Sequence, residues 1–201
     1  MVGQPLSVRA PPVSTALVRN TAAVGTRSVA LIVNCVAFQC GWFACVLGAA
    51  HGWPLVGAAA AMTIVALHLA CAPRAAPELK LVMLALAMGA LWDSALVSSG
   101  WIVFTSGMLI DGVAPPWILA LWALFATTLN ASLGWLKNKL LVAALFGALG
   151  GPLSYWAGLR LGALQFAAPM AALIALSIGW GVMTPLLIMA ARRFDRLHTT
   201  R

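Results

Sequence analysis

Six apolar segments, each about as long as a bilayer is thick, constrain the fold of this chain more than any other feature. A helix needs about 20 apolar residues to cross about 30 Å of hydrocarbon. The pattern therefore predicts an all-α polytopic membrane protein, a bundle of six transmembrane helices. The predicted helices cover residues 28–50, 54–72, 79–100, 116–136, 139–161 and 167–191.

The composition excludes the soluble alternatives. Hydrophobic residues make up 63% of the chain and charged residues 8%, against about 45–50% and about 25% in soluble domains. So few charges could not cover the surface of a soluble domain of this size. A soluble enzyme, a secreted disulfide scaffold and a disordered regulator are all excluded.

The basic residues predict the orientation. With the N-terminus in the cytoplasm, Arg160 falls outside, and the other Lys and Arg residues all fall inside. An excess of Lys and Arg marks cytoplasmic segments, so both termini are predicted to be cytoplasmic. The same placement explains the net charge of +8 without nucleic acid as a partner. The inside residues are Arg9, Arg19, Arg27, Arg74, Lys80, Lys137, Lys139, Arg192, Arg193, Arg196 and Arg201.

Three regions lie outside the predicted helices. Residues 1–27, which are basic and contain no acid, are predicted to be a disordered cytoplasmic tail. Residues 192–201 form a second basic cytoplasmic tail. Residues 101–116 contain glycines, Asp111 and a proline pair, and are predicted to be an external loop that lies partly on the membrane interface.

Asp93 is the first candidate functional residue, because it lies within the third predicted helix. A carboxylate at that depth costs about 2.5–3.5 kcal/mol on insertion scales, so it must be protonated, paired or hydrated. Gly89 and Ala90 lie one turn away on the same face, which predicts that this face packs against another helix. Gln39 is the expected partner. Both a protonatable functional site and a hydrogen-bonded structural acid fit the sequence.

Two further elements complete the candidate site. Asn130 lies with Thr127 on one face of the fourth predicted helix, where interhelical hydrogen bonds are expected. Gly150, Gly151 and Pro152 interrupt the fifth, which predicts a kink or local unwinding covered by helix one or four. Tyr155 follows one turn later. The candidate polar site is therefore Gln39, Asp93, Asn130 and Tyr155.

No metal site and no cofactor are predicted. His51 precedes helix two and His68 lies far along it, about 20 Å apart across the membrane, so they cannot share a haem or a zinc ion. Three of the cysteines, Cys35, Cys40 and Cys45, point in different directions on a helix. No phosphate loop, zinc-protease motif or dinucleotide turn occurs.

Aromatic, polar, glycine and proline residues form a set of motifs along the predicted helices. They are Asn34, Phe38, Gln39, Trp42, Trp92, Asp93, Pro115, Pro116, Trp117, Phe125, Asn130, Gly150, Gly151, Pro152 and Tyr155. With these motifs, residues 29–164 resemble an uncharacterised family of small bacterial inner-membrane proteins (domain of unknown function 2878). The resemblance implies a bacterial inner-membrane location and implies no activity.

Three functions stay open from the sequence. The first is a small accessory protein that binds a lipid, a pigment, a larger membrane complex or a second copy of itself, with membrane lipids as partners. The second is a proton-coupled transporter or channel that uses Asp93. The third is a membrane enzyme acting on a lipid through Asp93, Tyr155 and His51; it is the least expected, because lipid enzymes usually show more clustered acids, bases or metal ligands.

Overall fold

The computed structural model describes the backbone of residues 13–197 and the side chains of residues 28–195. Within these limits the chain forms six α-helices, one short 3-10 helix and two short strands. The helices are α1 (Val13–Ala50), α2 (Pro54–Cys71), α3 (Ala75–Ser98), α4 (Pro116–Leu129), α5 (Leu140–Arg160) and α6 (Pro169–Leu197).

Three connections meet at one end of the bundle, here called the loop end: residues 51–53, 99–115 and 161–168. Strands β1 (Ile102–Phe104) and β2 (Leu164–Phe166) pair there as an antiparallel ribbon. Ser106 Oγ donates a hydrogen bond of 2.6 Å to the carbonyl of Ala49, which ties the long connection to the end of α1. The ribbon was not predicted, since a three-residue strand leaves little periodicity.

The opposite end, here called the basic end, holds the remaining connections and the last turns of α6. Lys137 forms a 2.5 Å ion pair with Asp195. Glu78 Oε1 accepts a 2.8 Å hydrogen bond from Asn130 Nδ2, and its other oxygen lies 3.4 Å from His68 Nε2. Because successive connections alternate between the two ends, the six helices alternate in direction, as the sequence predicted.

Five of the helices are long and apolar enough to cross a membrane: α1 through Ser28–Ala50, α2, α3, α5 and α6 through Pro169–Asp195. Their outer faces carry large exposed apolar side chains such as Leu91, Leu141 and Met170, each more than 70% exposed. Such a surface is unfavourable in water and favourable in hydrocarbon. The fold is therefore that of an all-α membrane protein.

Helix α4 differs from the prediction, which made it a sixth full-length span over 116–136. It has 14 residues, or about 21 Å at 1.5 Å per residue. Thr127 Oγ1 and Thr128 Oγ1 donate to carbonyls three residues earlier, Leu124 O and Phe125 O. Side chains that bond the local backbone compete with helix continuation, so α4 ends at Leu129 and the chain continues through turns into a 3-10 helix, Gly134–Asn138.

Helix α4 is instead the centre of the bundle. Eleven of its 14 residues are buried, and it packs against α1, α2, α3 and α6. Tryptophan rings seat on glycines where helices cross: Trp122 on Gly89, and Trp180 on Gly151. Glycine is required at these crossings, because a Cβ there would overlap the ring.

The outer helices also extend further than predicted. Helix α1 begins at Val13, fifteen residues before the predicted start at 28, so the predicted disordered tail is wrong over 13–27. No proline interrupts that stretch, which allows the helix to continue. Helix α6 continues to Leu197, past the predicted end at 191. The rest of both predicted tails, 1–12 and 198–201, lies outside the described residues.

Candidate functional site

A cleft of about 670 Å³ lies between α1, α4, α5 and α6. Its two sides are α1 and α5, which are joined across it by a 2.9 Å hydrogen bond from Trp42 Nε1 to Ser154 Oγ. Several lining side chains, including Phe43, Phe146 and Leu153, are also 43–62% exposed on the outer surface. The cleft therefore opens sideways between α1 and α5, toward the space that lipid would occupy.

Aromatic side chains form the inner wall of the cleft. Trp122 and Trp180 stack with ring centroids 4.4 Å apart and planes 13° apart. Phe125 meets Trp180 edge-on, with centroids at 5.2 Å. Stacked and edge-on aromatic pairs hold their rings in place, so this wall is a preformed apolar surface.

The lining carries few polar groups and no charge. Among the described residues of the cleft, none is Asp, Glu, Lys, Arg or His. The polar side chains are Gln39, Thr128, Ser132, Ser154, Tyr155 and Thr184. The cleft is therefore suited to an uncharged apolar molecule.

Asp93 lies directly behind the aromatic wall and is fully buried. Trp122 Nε1 donates to its Oδ2 at 2.6 Å, and the Tyr155 hydroxyl donates to its Oδ1. Both donors line the cleft. The carboxyl group thus fixes two side chains of the cleft from behind, on α4 and on α5.

The predicted pairing of Asp93 with Gln39 is wrong. Helix α3 packs mainly against α4 and α6, so its small-residue face meets Trp122 and not α1. Sequence reasoning matched Gln39 by depth alone. The apolar segments contain no cation that could pair with Asp93, so its partners had to be neutral hydrogen-bond donors. Trp122 and Tyr155 are two such donors, and this reasoning could have identified them from the sequence.

The other predicted site residues divide between two places. Gln39 lies in the mouth of the cleft, on the exposed side of α1. Asn130 lies at the basic end, where it bonds Glu78. The four candidates therefore do not form one site: Asp93 and Tyr155 bond each other, Gln39 stands apart in the cleft, and Asn130 belongs to another cluster.

The predicted local unwinding of helix five is absent and its predicted cover is wrong, whereas the predicted kink stays a prediction. Helix α5 is helical throughout Leu140–Arg160, with Pro152 inside it. Gly151 lies against the Trp180 ring of α6, so the cover comes from α6 and not from helix one or four. Gly150 faces open space and lines the cleft. Close packing on α6 supports the helix where the proline removes a donor.

The described part of the chain contains no cluster of side chains that could bind a metal ion. No three His, Cys, Asp or Glu side chains come together there. His51 bonds the carbonyl of Leu47 near the loop end, whereas His68 lies beside Glu78 at the basic end.

The residues that form the cleft lie within a segment that matches a known sequence family. Residues 31–186 match the family model described as "Protein of unknown function (DUF2878)". The chain belongs to this family. No curated protein and no solved structure matches the chain. Every described residue that lines the cleft, from Cys35 to Thr184, lies inside the DUF2878 match, so the cleft belongs to the part of the chain that defines the family.

Proposed function

We propose that this protein is a multi-pass protein of the bacterial inner membrane that binds an apolar molecule drawn sideways from the bilayer into the α1–α5 cleft. The observation that carries the proposal is the cleft itself: about 670 Å³, open toward lipid, uncharged, and walled by the Trp122–Trp180 stack. Ligand pockets are usually about 300–1,000 Å³, mostly apolar and largely preformed.

The charge distribution supports an orientation with both termini in the cytoplasm. The described cations Arg74, Lys80, Lys137, Lys139, Arg192 and Arg193 belong to the basic end, and Arg160 lies near the loop end. The positive-inside rule assigns the basic end to the cytoplasm.

The geometry favours binding over proton coupling. Asp93 does not line the cleft, and both of its oxygens accept hydrogen bonds from side chains that do. A carboxyl group held in this way positions Trp122 and Tyr155. A lipid enzyme finds less support, since His51 at the loop end does not join Asp93 and Tyr155.

Filling the cleft tests the proposal. Gly150 lines the cleft and a Cβ there would meet nothing within 4 Å, so the ring of Gly150→Phe should enter the open space of the cleft. Four tryptophans, Trp42, Trp117, Trp122 and Trp180, line the cleft. Brominated-chain lipid should therefore quench a saturable part of the emission of the purified protein, and Gly150→Phe should remove most of that part.

Two variants control for the substitution. Gly150→Ala adds little volume and should keep the saturable quenching. Leu149 is 65% exposed and does not line the cleft, so Leu149→Phe adds the same ring on the lipid side and should also keep it. Equal quenching in all four proteins would contradict the proposal.

A further inference from the structure

Gln39 carries a polar group whose hydrogen bonds the protein leaves unmade. It is the central residue of the candidate span Ser28–Ala50, is exposed and lines the cleft. Among residues 28–195, the side-chain amide of Gln39 makes no hydrogen bond. Hydrocarbon offers no donor or acceptor, so an amide at that depth gains free energy from any ligand atom that can pair with it.

The register between α1 and α5 leaves space in front of this amide. Trp42 of α1 bonds Ser154 of α5, and both helices run from the basic end to the loop end. Gln39 lies one turn before Trp42, and Gly150 lies one turn before Ser154, at about the same depth. Gln39 and the open position at Gly150 therefore line the same cleft at about the same depth.

The absence of charge restricts what can pair with Gln39. No Lys, Arg or His side chain lines the cleft among the described residues. A phosphate group would lose its hydration there without gaining a cation, which is strongly unfavourable. A neutral hydroxyl or carbonyl oxygen loses far less, and one amide can satisfy it.

We infer that the ligand is an uncharged lipid that carries a hydroxyl or carbonyl oxygen near the bilayer midplane, hydrogen-bonded by Gln39, with its hydrocarbon against the Trp122–Trp180 wall. Phospholipids keep their polar groups at the interface and do not match this depth. The inference rests on the proposed function, because it names the class of molecule that the same cleft binds.

Four probes with one carbon chain separate the chemistries: geranylgeraniol, the matching aldehyde, the matching hydrocarbon without oxygen, and geranylgeranyl monophosphate. Brominated lipid quenches the tryptophan emission of the intact protein in detergent, and each probe's affinity is measured by how well it displaces that lipid and restores the emission. The alcohol and the aldehyde should bind more tightly than the hydrocarbon, and the phosphate ester most weakly. If either the alcohol or the aldehyde binds more tightly than the other, that probe identifies the oxygen that the site prefers.

Gln39→Leu removes the amide and keeps the size of the side chain. It should weaken the alcohol or the aldehyde about fivefold, the value of one hydrogen bond in a membrane interior, and leave the hydrocarbon unchanged. Gln39→Asn keeps an amide and should restore part of the loss. Because Gln39 lies on an exposed face, an unchanged emission spectrum without ligand will show that the variants are folded.

The outcomes separate the two proposals. Equal affinity for alcohol and hydrocarbon, with no effect of Gln39→Leu, overturns this inference and leaves lipid binding intact. Tightest binding of the phosphate ester overturns it too. If no probe binds and Gly150→Phe has no effect, the proposed function itself fails. The inference would also fail if two copies of the protein cross-link through the exposed Cys40 while Gln39→Leu leaves the affinity for every probe unchanged. In that case the Gln39 side chain contacts a second copy of the protein and not a lipid.

Discussion

Replacing Asp93 separates a positioning role from a protonation role. The carboxyl group is fully buried and accepts one hydrogen bond from Trp122 Nε1 and one from the Tyr155 hydroxyl. Asp93→Asn can keep both contacts, because its amide oxygen accepts from Trp122 and its NH₂ donates to the tyrosine oxygen. Asp93→Leu has no hydrogen-bonding group in its side chain and leaves both donors unsatisfied.

The magnitudes differ enough to measure. A buried donor left without a partner costs about 1–3 kcal/mol, so Asp93→Leu should lower the free energy of unfolding by about 2–6 kcal/mol. Asp93→Asn should cost below about 1 kcal/mol, near the mean of hydrogen bonds in membrane proteins. The assay is reversible unfolding in mixed micelles of rising denaturing-detergent content, followed by tryptophan emission.

Tyr155→Phe supplies the matched control. Alone it removes one of the two donors and should cost about half of the Asp93→Leu effect. Combined with Asp93→Leu it should cost less than the sum, because the phenylalanine ring has no hydroxyl to leave unpaired. Equal destabilisation by Asp93→Asn and Asp93→Leu would refute the hydrogen-bond reasoning. Loss of ligand binding in a stable Asp93→Asn protein would point to a required proton.

Three other predictions follow from the packing and the topology. Gly151→Leu should unfold more readily than Gly150→Leu in the same micelle titration, because a leucine at 151 overlaps the Trp180 ring and a leucine at 150 enters open space. The reverse order would show that the packing is misassigned. Pro152→Ala should leave ligand quenching unchanged, since α5 is helical through that position, and a loss of quenching in a folded variant would restore the hinge hypothesis. In a background without native cysteines, Asp111→Cys should react with an impermeant thiol reagent in intact cells and Asn138→Cys should not, whereas the opposite labelling would invert the topology.

Helix positions were predictable where hydrophobicity alone decides them. The first span, 28–50, matches the candidate span Ser28–Ala50, and the second and fifth agree within one residue at each end. Helix α4 was mispredicted because Thr127 and Thr128 are apolar enough to continue a hydropathy pattern, yet they end the helix by bonding its backbone. The hydropathy pattern carries no information about that competition.

The candidate site was predictable in its residues and not in their arrangement. Asp93 and Tyr155 stood out as polar groups at depth, but their contact depends on α3 and α5 both packing against α6, which no local pattern encodes. The glycines of helix five predict where a ligand cavity would lie, and the cleft is indeed lined by Gly150 and Gly151. Its outline was not predictable, since it arises where α1 and α5 stay apart. Gly150 was attributed to a helix break because a glycine that lines open space and one that relaxes a helix look the same in sequence.

The composition of native complexes tests the central claim most directly. The protein, ejected from native membrane vesicles in a mass spectrometer, should carry one neutral lipid-sized adduct, and Gly150→Phe should lose that adduct while Leu149→Phe keeps it. A bare wild-type protein, or an adduct that persists in Gly150→Phe, would contradict binding in the α1–α5 cleft.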